Sequence, residues 1–300
     1  MASPAPGRFH CLQCGEIVPP PTSEGATCAA CRAVYPIEDG VVALTPPARD
    51  DDYPASLVDL VAGVEERHFW FSARNDVIVS TLERVAGPLA GARVLDVGCG
   101  TGFVLAALES AGVAACGVDM HHQALRRARA RVRGPLFRSS ATSLPFAPDF
   151  EIVTLFDVIE HVDDAVALLR EASRVATADG RVAVTVPAGP HLWTRYDEVI
   201  GHKRRYDRES LAAAFTRADL HVCELSYFNC VPALAQRLQR WLRRTQRDDR
   251  DPLEVVRHAL RVPPAPLNAL LRALVRWEAP FRRNAWMRGG SLIAVGSRAA

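Results

Sequence analysis

Hydrophobic and polar positions between residues 91 and 228 change period repeatedly along the chain. Short apolar runs, typical of strands buried on both faces, alternate with stretches in which apolar residues recur at helical spacing. The predicted strands are residues 92–97, 114–118, 135–138, 152–156, 181–186, 222–228 and 291–297. The predicted helices are residues 101–110, 123–132 and 164–176, and Gly180 is the stop signal after the last of them. This alternation predicts an α/β fold with a doubly wound sheet of seven strands.

Two further regions of helical pattern flank this alternation. Residues 57–85 precede the first strand, and residues 229–290 form a helical insertion before the last strand. Within the insertion, segments 232–245 and 267–277 carry leucine on one face and arginine on the other. A stretch rich in Pro and Asp at residues 45–56 predicts a linker. The predicted organisation is a disordered tail (1–8), a small N-terminal domain (9–44), the linker (45–56) and a large domain (57–300).

Four of the eight cysteines lie in two CxxC pairs near the start of the chain. Cys11 and Cys14 are followed, after a spacer of 13 residues, by Cys28 and Cys31. Two such pairs can arrange four thiolates tetrahedrally around Zn²⁺, and metal binding then folds a segment too short to have its own core. The spacing predicts a zinc ribbon over residues 9–44. Its metal is structural, because four thiolates leave no open coordination position.

The composition is typical of a globular protein and argues against a nucleic-acid-binding or membrane-spanning one. The chain has 300 residues, 49% hydrophobic and 23% charged, with a net charge of +2, which argues against a general nucleic-acid binder. Neither a signal peptide nor an apolar run of about 18 residues is visible, so we expect a cytoplasmic protein. Residues 231–290 carry 13 Arg against 5 Asp plus Glu. We interpret this segment as a helical cap; the alternative is a peripheral contact with anionic lipid at the inner face of the membrane.

The chain from Asp96 to Gly102 places an acid before three glycines on alternate positions. Glycine allows a sharp turn and a close approach of the backbone to a ligand, and a carboxylate suits a ligand with an ammonium group. The dinucleotide fingerprint fits less well, because its third glycine would have to stand at Phe103. The motif resembles the glycine loop of class I S-adenosylmethionine (SAM)-dependent methyltransferases. This resemblance covers about residues 65–298 and implies a Rossmann-like methyltransferase sheet.

The resemblance also implies a set of cofactor-binding residues. The loop would bind the methionine part of SAM, Asp119 at the end of the second strand would accept both ribose hydroxyls, and Met120 would pack on the adenine. Ser140 stands where the family usually has Asp, and its hydroxyl can bond the adenine amino group. The implied cofactor-binding residues are Asp96, Gly98, Cys99, Gly100, Gly102, Asp119, Met120, Ser140, Ala141, Phe156 and Asp157.

The segment after the fourth strand supplies candidate catalytic residues. Asp157, Glu160 and His161 have the D-x-x-E-H spacing that resembles the metal-binding loop of ubiquinone-pathway O-methyltransferases. That resemblance implies a divalent ion at these three residues. The alternative is a loop without metal, in which Asp157 and His161 face the cofactor or the reacting groups.

A polar and aromatic loop over residues 187–206 follows the fifth strand, where open α/β sheets bind ligands. His191, Asp197 and His202 are candidate bases, since an ordinary imidazole titrates near neutral pH. Arg204 and Arg205 are candidates for a clamp on an acidic substrate group, and Tyr206 for positioning the substrate. The catalytic candidates are therefore His202, His161, Asp157 and Tyr206. The alternative is a structural lid. A further alternative places His68, Arg74 and Asn75 at the cofactor.

These observations predict a SAM-dependent methyltransferase that acts on oxygen or nitrogen of a small molecule, including lipid- or phosphate-linked acceptors. An alternative is a ribosomal RNA methyltransferase that binds RNA through the ribbon. Residues 9–44 carry few basic side chains, which argues against this alternative. A second alternative is a non-catalytic SAM-binding scaffold. The sequence assigns neither the acceptor nor the oligomeric state.

Overall fold

The fold is a twisted β-sheet with helices on both faces. The computed structural model describes residues 8–19, 21–22, 25–46, 54–234, 250–278 and 288–298. In chain order the strands are β1 (Phe9–His10), β2 (Ile17–Val18), β3 (Ala26–Thr27), β4 (Val34–Tyr35), β5 (Ile37–Glu38), β6 (Val41–Ala43), β7 (Arg93–Val97), β8 (Ala114–Asp119), β9 (Leu136–Arg138), β10 (Phe150–Phe156), β11 (Ala176–Pro187), β12 (Leu220–Phe228) and β13 (Ser291–Arg298). The helices are α1 (Ala55–Ala62), α2 (Phe69–Ala86), α3 (Phe103–Ser110), α4 (His122–Arg129), α5 (Ala165–Val175), α6 (Arg195–Val199), α7 (Arg208–Arg217), α8 (Pro252–Ala259) and α9 (Ala265–Trp277), with a 3-10 turn at Pro190–Leu192.

The predicted seven strands form one continuous sheet. Their spatial order is β12-β13-β11-β10-β7-β8-β9, with β13 antiparallel to both of its neighbours and β7 to β11 parallel. Because helices cover both faces, the central strands are apolar on both sides. Leu95 and Val153 face a core shared with α5 and α7, whereas Val94 and Ile152 face a core shared with α2, α3 and α9.

The sheet has nine strands rather than seven, because the N-terminal segment adds two. Strand β6 pairs in parallel with β9, Val42 opposite Phe137, and β5 pairs with β6 as a hairpin. The apolar side chains of Val41 and Val42 are buried there. Without β6, strand β9 would be an edge with unpaired main-chain groups, and this addition covers it.

Two element boundaries differ from the sequence prediction. The helix predicted over residues 57–85 is two helices, because His68 is extended and caps α2 by accepting a hydrogen bond from the amide of Trp70. The helix predicted over residues 164–176 ends at Val175, within one residue of the prediction, but the strand predicted over residues 181–186 begins directly after it. Ala176 is already extended and pairs with Phe150, so Gly180 lies within β11.

The insertion before β13 is helical where it is described. Residues 235–249, which hold most of the predicted helix over 232–245, lie outside the described residues. Helix α8 packs against α6 and α1, and α9 packs against α2, so these helices cover one end of the sheet. The fully buried carboxylate of Glu278 accepts hydrogen bonds from the amides of Cys230 and Val231. Among the described residues, no helix combines the length and apolar character that crossing a bilayer requires.

Candidate cofactor and acceptor site

The glycine loop joins β7 to α3 at the carboxyl edge of the parallel strands. Gly98, Gly100 and Gly102 all have positive φ, at 75°, 54° and 75°. A Cβ on Gly98 would lie 2.5 Å from Val158 Cγ2, and a Cβ on Gly102 would lie 2.9 Å from Ala128 Cβ. Glycine at these two positions is therefore required by both backbone conformation and close packing.

Asp96 lies directly before this loop and is almost fully buried, at 2% exposure. Its Oδ1 accepts a hydrogen bond of 2.6 Å from the hydroxyl of Thr154. Burial raises the pKa of Asp96 to about 7, although the Thr154 hydrogen bond and the nearby Arg74 favour the ionised form. An ammonium group in the loop would favour the carboxylate further.

Asp119 ends β8 and is tied to the glycine loop. Its Oδ2 accepts a 2.8 Å hydrogen bond from the amide of Gly100, and its Oδ1 accepts one of 2.9 Å from the amide of His121. Met120 beside it is 42% exposed, as a residue that packs on a ligand should be. The hydroxyl of Ser140 lies 2.9 Å from that of Thr142. We call the loop 98–102, Asp119, Met120 and residues 139–141 the cofactor side.

Glu65 is a buried residue of this region that sequence reasoning missed. Its carboxylate accepts a 2.6 Å hydrogen bond from Thr101 in the glycine loop and pairs with Arg131. The segment between α1 and α2 is thereby fastened to the loop. The sequence signal was weak, because one acid in a charged helical stretch usually indicates an exposed face.

Arg74 on α2 reaches the opposite side of the site. It forms a 2.7 Å ion pair with Asp157, and its guanidinium lies over the rings of Trp70 and Phe156. Asp157 also accepts a hydrogen bond from Thr185 and has a positive φ of 57°. Of the three residues proposed as an alternative set at the cofactor, Arg74 pairs with Asp157, Asn75 donates to the carbonyl of Phe103, and His68 caps α2.

Glu160, His161 and His202 form a compact cluster just beyond Asp157. Their ligand atoms all lie within 4.8 Å of one another. Glu160 is fully buried, and neither carboxylate oxygen has a hydrogen-bond partner among the described residues. Burial raises the pKa of Glu160 well above its usual range and lowers that of His161 to about 4. The predicted metal triple is thereby corrected: Asp157 is engaged by Arg74, and His202 takes its place in the cluster.

Asp197 orients His202. The Nδ1 atom of His202 lies 2.8 Å from Asp197 Oδ1, and Arg205 pairs with both carboxylate oxygens, at 2.7 and 2.9 Å. Burial alone would raise the pKa of Asp197, but the hydrogen bonds from His202 and Arg205 outweigh it and hold that pKa well below its usual range. Asp197 is therefore a poor base, and Arg205 is engaged within the protein rather than presented to a substrate.

Two other residues of the predicted acceptor loop also serve the fold. The hydroxyl of Tyr206 donates to the carbonyl of Ile159, and burial raises the pKa of Tyr206 to about 12. Arg204 donates to the carbonyls of Val162 and Asp163, so its expected role as an anion clamp is not supported. These contacts join residues 188–206 to residues 157–163. We call these two segments together the acceptor side.

A cavity of about 370 Å³ opens next to the acceptor side, beyond the ends of β11 and β12. Its wall consists of Gly189, Pro190, His191, Asp207, Tyr227, Arg288 and Gly289. The guanidinium groups of Arg208 and Arg288 both lie over the ring of Tyr227. The Nε and Nη2 atoms of Arg208 are buried without a hydrogen-bond partner in the described chain. Two buried guanidinium nitrogens without a hydrogen-bond partner, next to a cavity lined by Arg288, favour an anionic ligand here.

The four predicted cysteines meet at the N-terminus. Cys11 and Cys31 have sulfur atoms 3.4 Å apart, and those of Cys14 and Cys28 are 3.5 Å apart. All four sulfur atoms lie within 4.8 Å of one another. Four convergent thiols at these separations fit a tetrahedral zinc ion bound by sulfur alone.

Sequence comparison matches residues 95–184 to a family described as a methyltransferase domain. The ubiquinone biosynthesis O-methyltransferase of Bordetella bronchiseptica is 30% identical over 119 residues, which are 37% of this chain and 48% of that protein. The enzyme of the same name from Neisseria meningitidis serogroup A is 26% identical over 194 residues, 53% of this chain and 82% of that protein. The chain thus spans about half the length of the first of these relatives.

Solved structures share the fold at low identity. A complex between the Haloferax volcanii Trm112 methyltransferase activator and a methyltransferase matches with a TM-score of 0.56 and 20% identity, over 84% of this chain and 100% of that one. Phosphoethanolamine N-methyltransferase 2 of Haemonchus contortus, in complex with SAM, matches with a TM-score of 0.54 and 17% identity, over 83% of this chain and 58% of that one. Both likenesses concern the sheet and its helices.

Proposed function

We propose that this chain transfers the methyl group of SAM to a small-molecule acceptor, because residues 95–184 match a family described as a methyltransferase domain. The observation that carries this proposal is the joining of Asp119 to the glycine loop through the amide of Gly100. An acid at the end of β8, beside three positive-φ glycines, suits a ligand with a ribose diol and an ammonium group. The names of the sequence relatives favour an acceptor oxygen over nitrogen.

Methyl transfer forms a bond from the acceptor to the methyl carbon while the bond from that carbon to sulfur breaks, leaving S-adenosylhomocysteine. Much of the rate comes from holding the nucleophile in line with the methyl group. A hydroxyl acceptor also has to lose a proton. We assign that proton to Nε2 of His202, since Asp197 engages the other ring nitrogen and fixes the tautomer.

A divalent ion at Glu160, His161 and His202 is an alternative use of the same cluster, because Nε2 of His202 would then be a metal ligand and not the base. The buried carboxylate of Glu160, which has no hydrogen-bond partner in the described chain, and two imidazoles fit a transition-metal ion, and the hydrogen bond that Nδ1 of His202 donates to Asp197 is the usual support for a histidine ligand. Such an ion would supply Lewis-acid chemistry at an acceptor oxygen. Titration of the zinc-loaded protein with Co²⁺, followed by its visible absorption, tests this use, because the four cysteines, which would also give a Co²⁺ band, are then already occupied. Loss of the band in Glu160→Gln supports it, and absence of any band in the unaltered protein refutes it.

The cavity beside Tyr227 is the proposed location for an anionic group of the acceptor. Arg208 and Arg288 supply the charge, and Gly189, Pro190 and His191 form part of the wall. A phosphate- or lipid-linked acceptor would fit this chemistry. We further propose structural zinc at the four cysteines and a helical cap formed by α8 and α9, with small molecules rather than nucleic acid as partners.

Calorimetric titration with SAM, and separately with NADH, tests the central proposal. We expect micromolar binding of SAM alone, weakened by about 10- to 100-fold in Asp119→Ala, because bonds to a charged group contribute about 1.5–3 kcal/mol. The matched control is Asp179→Ala, which removes an exposed carboxylate near the start of β11. Binding of NADH but not SAM would refute the proposal. RNA retention at low salt would favour the RNA alternative, and SAM binding without turnover on any acceptor would favour the scaffold.

A further inference from the structure

We infer that the metal-loaded four-cysteine cluster positions the ribose side of the cofactor site through strand β9. This inference rests on the proposed function. Its basis is that the cysteine-bearing segment shares both the sheet and the main hydrophobic core with the large domain. Cys11, Cys28 and Phe9 belong to the same buried cluster as Phe137 and Leu95. The N-terminal segment thus shares its core and its sheet with the strands that carry the cofactor side.

The first link joins the cysteines to an aromatic pair. The hydroxyl of Tyr35 lies 3.1 Å from Cys11 Sγ and accepts a 2.7 Å hydrogen bond from the amide of Leu12. The ring of Tyr35 packs edge-on against Phe9, with centroids 5.0 Å apart. Any rearrangement of the metal-binding turn at residues 11–14 therefore displaces Tyr35 and Phe9.

The second link joins this pair to β9. Phe9 contacts Phe137 at a centroid distance of 5.8 Å, and Phe137 continues the stack onto Phe146 at 5.3 Å. Main-chain hydrogen bonds also connect the N-terminal segment to β9. The amides of Leu44 and Thr45 both donate to the carbonyl of Arg138, at 3.1 Å each. Strand β9 is only three residues long, so these bonds from the N-terminal segment are a large share of its support.

The third link is the side chain of Arg138, which is 4% exposed. Its guanidinium donates 2.6 Å to Glu38 and its Nε donates 2.8 Å to the carbonyl of Thr45, both in the N-terminal segment. The same guanidinium lies 3.2 Å from His122 at the start of α4. His122 in turn lies 3.0 Å from Asp39. Arg138 therefore joins the β5–β6 hairpin to the helix that follows Asp119.

The last link reaches the cofactor residues. Strand β9 pairs with β8 so that Arg138 lies opposite Asp119, and the amide of Ser139 donates 3.0 Å to the carbonyl of Asp119. The predicted adenine contacts at Ser140 and Ala141 follow at once. Because a ribbon of this length depends on its metal for folding, metal loss loosens β6, then β9, and then the placement of Asp119. Linkage is reciprocal, so SAM must tighten zinc binding by the same factor.

The test compares the full-length zinc-loaded protein with the same protein after chelation and after reloading. SAM affinity is measured by calorimetry and zinc content by a colorimetric thiol-displacement assay. We expect chelation to weaken SAM binding by about 5- to 150-fold, the usual range of coupling between two sites, and reloading to restore it. Hydrogen exchange should rise at residues 136–146 and stay unchanged in β10 and β11.

A pair of substitutions tests the same path with the metal in place. Arg138→Ala should raise the KM for SAM severalfold with kcat unchanged at saturating SAM, and Arg138→Lys should recover part of the difference. Glu16→Gln is the matched control, because this exposed ribbon side chain lies outside the path. If chelation unfolds the whole protein, this pair decides the matter.

Two outcomes would overturn the inference. One is a folded zinc-free protein with an unchanged Kd for SAM. The other is a fall in kcat of Arg138→Ala with no change in the KM for SAM. Failure of the zinc-loaded, unaltered protein to bind SAM would instead refute the proposed function, so the two failures are distinguishable.

Discussion

The cofactor side and the acceptor side occupy the same edge of one sheet but are built differently. On the cofactor side, main-chain geometry dominates: three glycines with positive φ and a carboxylate bound by two backbone amides. On the acceptor side, side chains from segments about 40 residues apart meet, as Glu160 and His161 do with His202, and several side chains engage one another, as Asp197 does with His202 and Arg205. A site built from local backbone has a sequence signature, whereas a site built from side-chain pairing has none until the chain is folded.

The largest expected effect is a fall in kcat without a change in SAM affinity, which distinguishes the acceptor side from the cofactor side. Replacing His202 with alanine removes the proposed base, and we expect kcat to fall by about 10²- to 10⁴-fold, the usual contribution of a general base. SAM affinity should not change, because His202 lies outside the glycine loop. Initial rates at saturating SAM and calorimetry give the two numbers.

The control for this substitution is His221→Ala, which removes an exposed imidazole on β12. An unchanged kcat in His202→Ala would eliminate the proposed base. Equal losses of kcat and SAM affinity would show instead that the acceptor side supports the cofactor, and the division between the two sides would have to be abandoned.

The second prediction concerns pH. Burial raises the pKa of Asp96 to about 7, so below that pH the carboxyl of the ligand-free protein is protonated and must lose its proton to water before it can pair with an ammonium group. SAM affinity should therefore fall by up to about tenfold for each unit of pH below 7. Calorimetry between pH 5.5 and 8 measures this slope, with an Asp96→Asn variant expected to be flat.

Because of Asp96, the stability of the ligand-free protein should fall as pH rises, whereas SAM affinity should rise. A raised folded-state pKa stabilises the fold fully below the ordinary carboxyl pKa, and this contribution is lost as pH rises through about 7. Asp197 behaves the other way, since its lowered pKa gives stability above the ordinary value that is lost only in strong acid. A pH-independent SAM affinity would show that Asp96 does not face the ammonium group.

Prediction from sequence succeeded where a local pattern determines local structure. The seven-strand sheet, the glycine loop and the cysteine cluster each follow from residue types at fixed spacing, and the structure contains all three. The pairing of β6 with β9 could not be predicted, because three apolar residues do not specify a partner strand almost 100 residues away. The roles of Glu65 and Arg74 were missed or left open for the same reason.

The acceptor loop shows the limit most clearly. Arg204 and Arg205 read as an anion clamp, since two adjacent arginines in a loop usually face solvent. Only the folded chain shows that Arg204 donates to two backbone carbonyls and that Arg205 pairs with Asp197. Arg288, which lines the cavity, had no sequence signature that distinguished it from the arginine-rich insertion around it, and Arg208, which adjoins the cavity at Tyr227, had none that distinguished it from the arginines just before it.

The smallest expected effect tests whether the two sides touch. Gly100→Ala meets no neighbour among the described atoms, so it should cost only the left-handed backbone term, about 1–2 kcal/mol of unfolding free energy. Gly98→Ala adds a contact 2.5 Å from Val158 Cγ2, which belongs to the loop after β10, and should cost more. Denaturant unfolding with a two-state fit measures both.

Val158 makes this comparison decisive, because it is a residue of the acceptor side that packs on a glycine of the cofactor side. In a double-mutant cycle, Val158→Ala should be destabilising alone but should reduce the cost of Gly98→Ala to that of Gly100→Ala, since the crowding methyl group is gone. Strict additivity would mean that the loop after β10 relaxes away from Gly98 without cost. The two sides would then be mechanically independent, and an alanine at residue 98 would weaken SAM binding without changing the alignment of the acceptor.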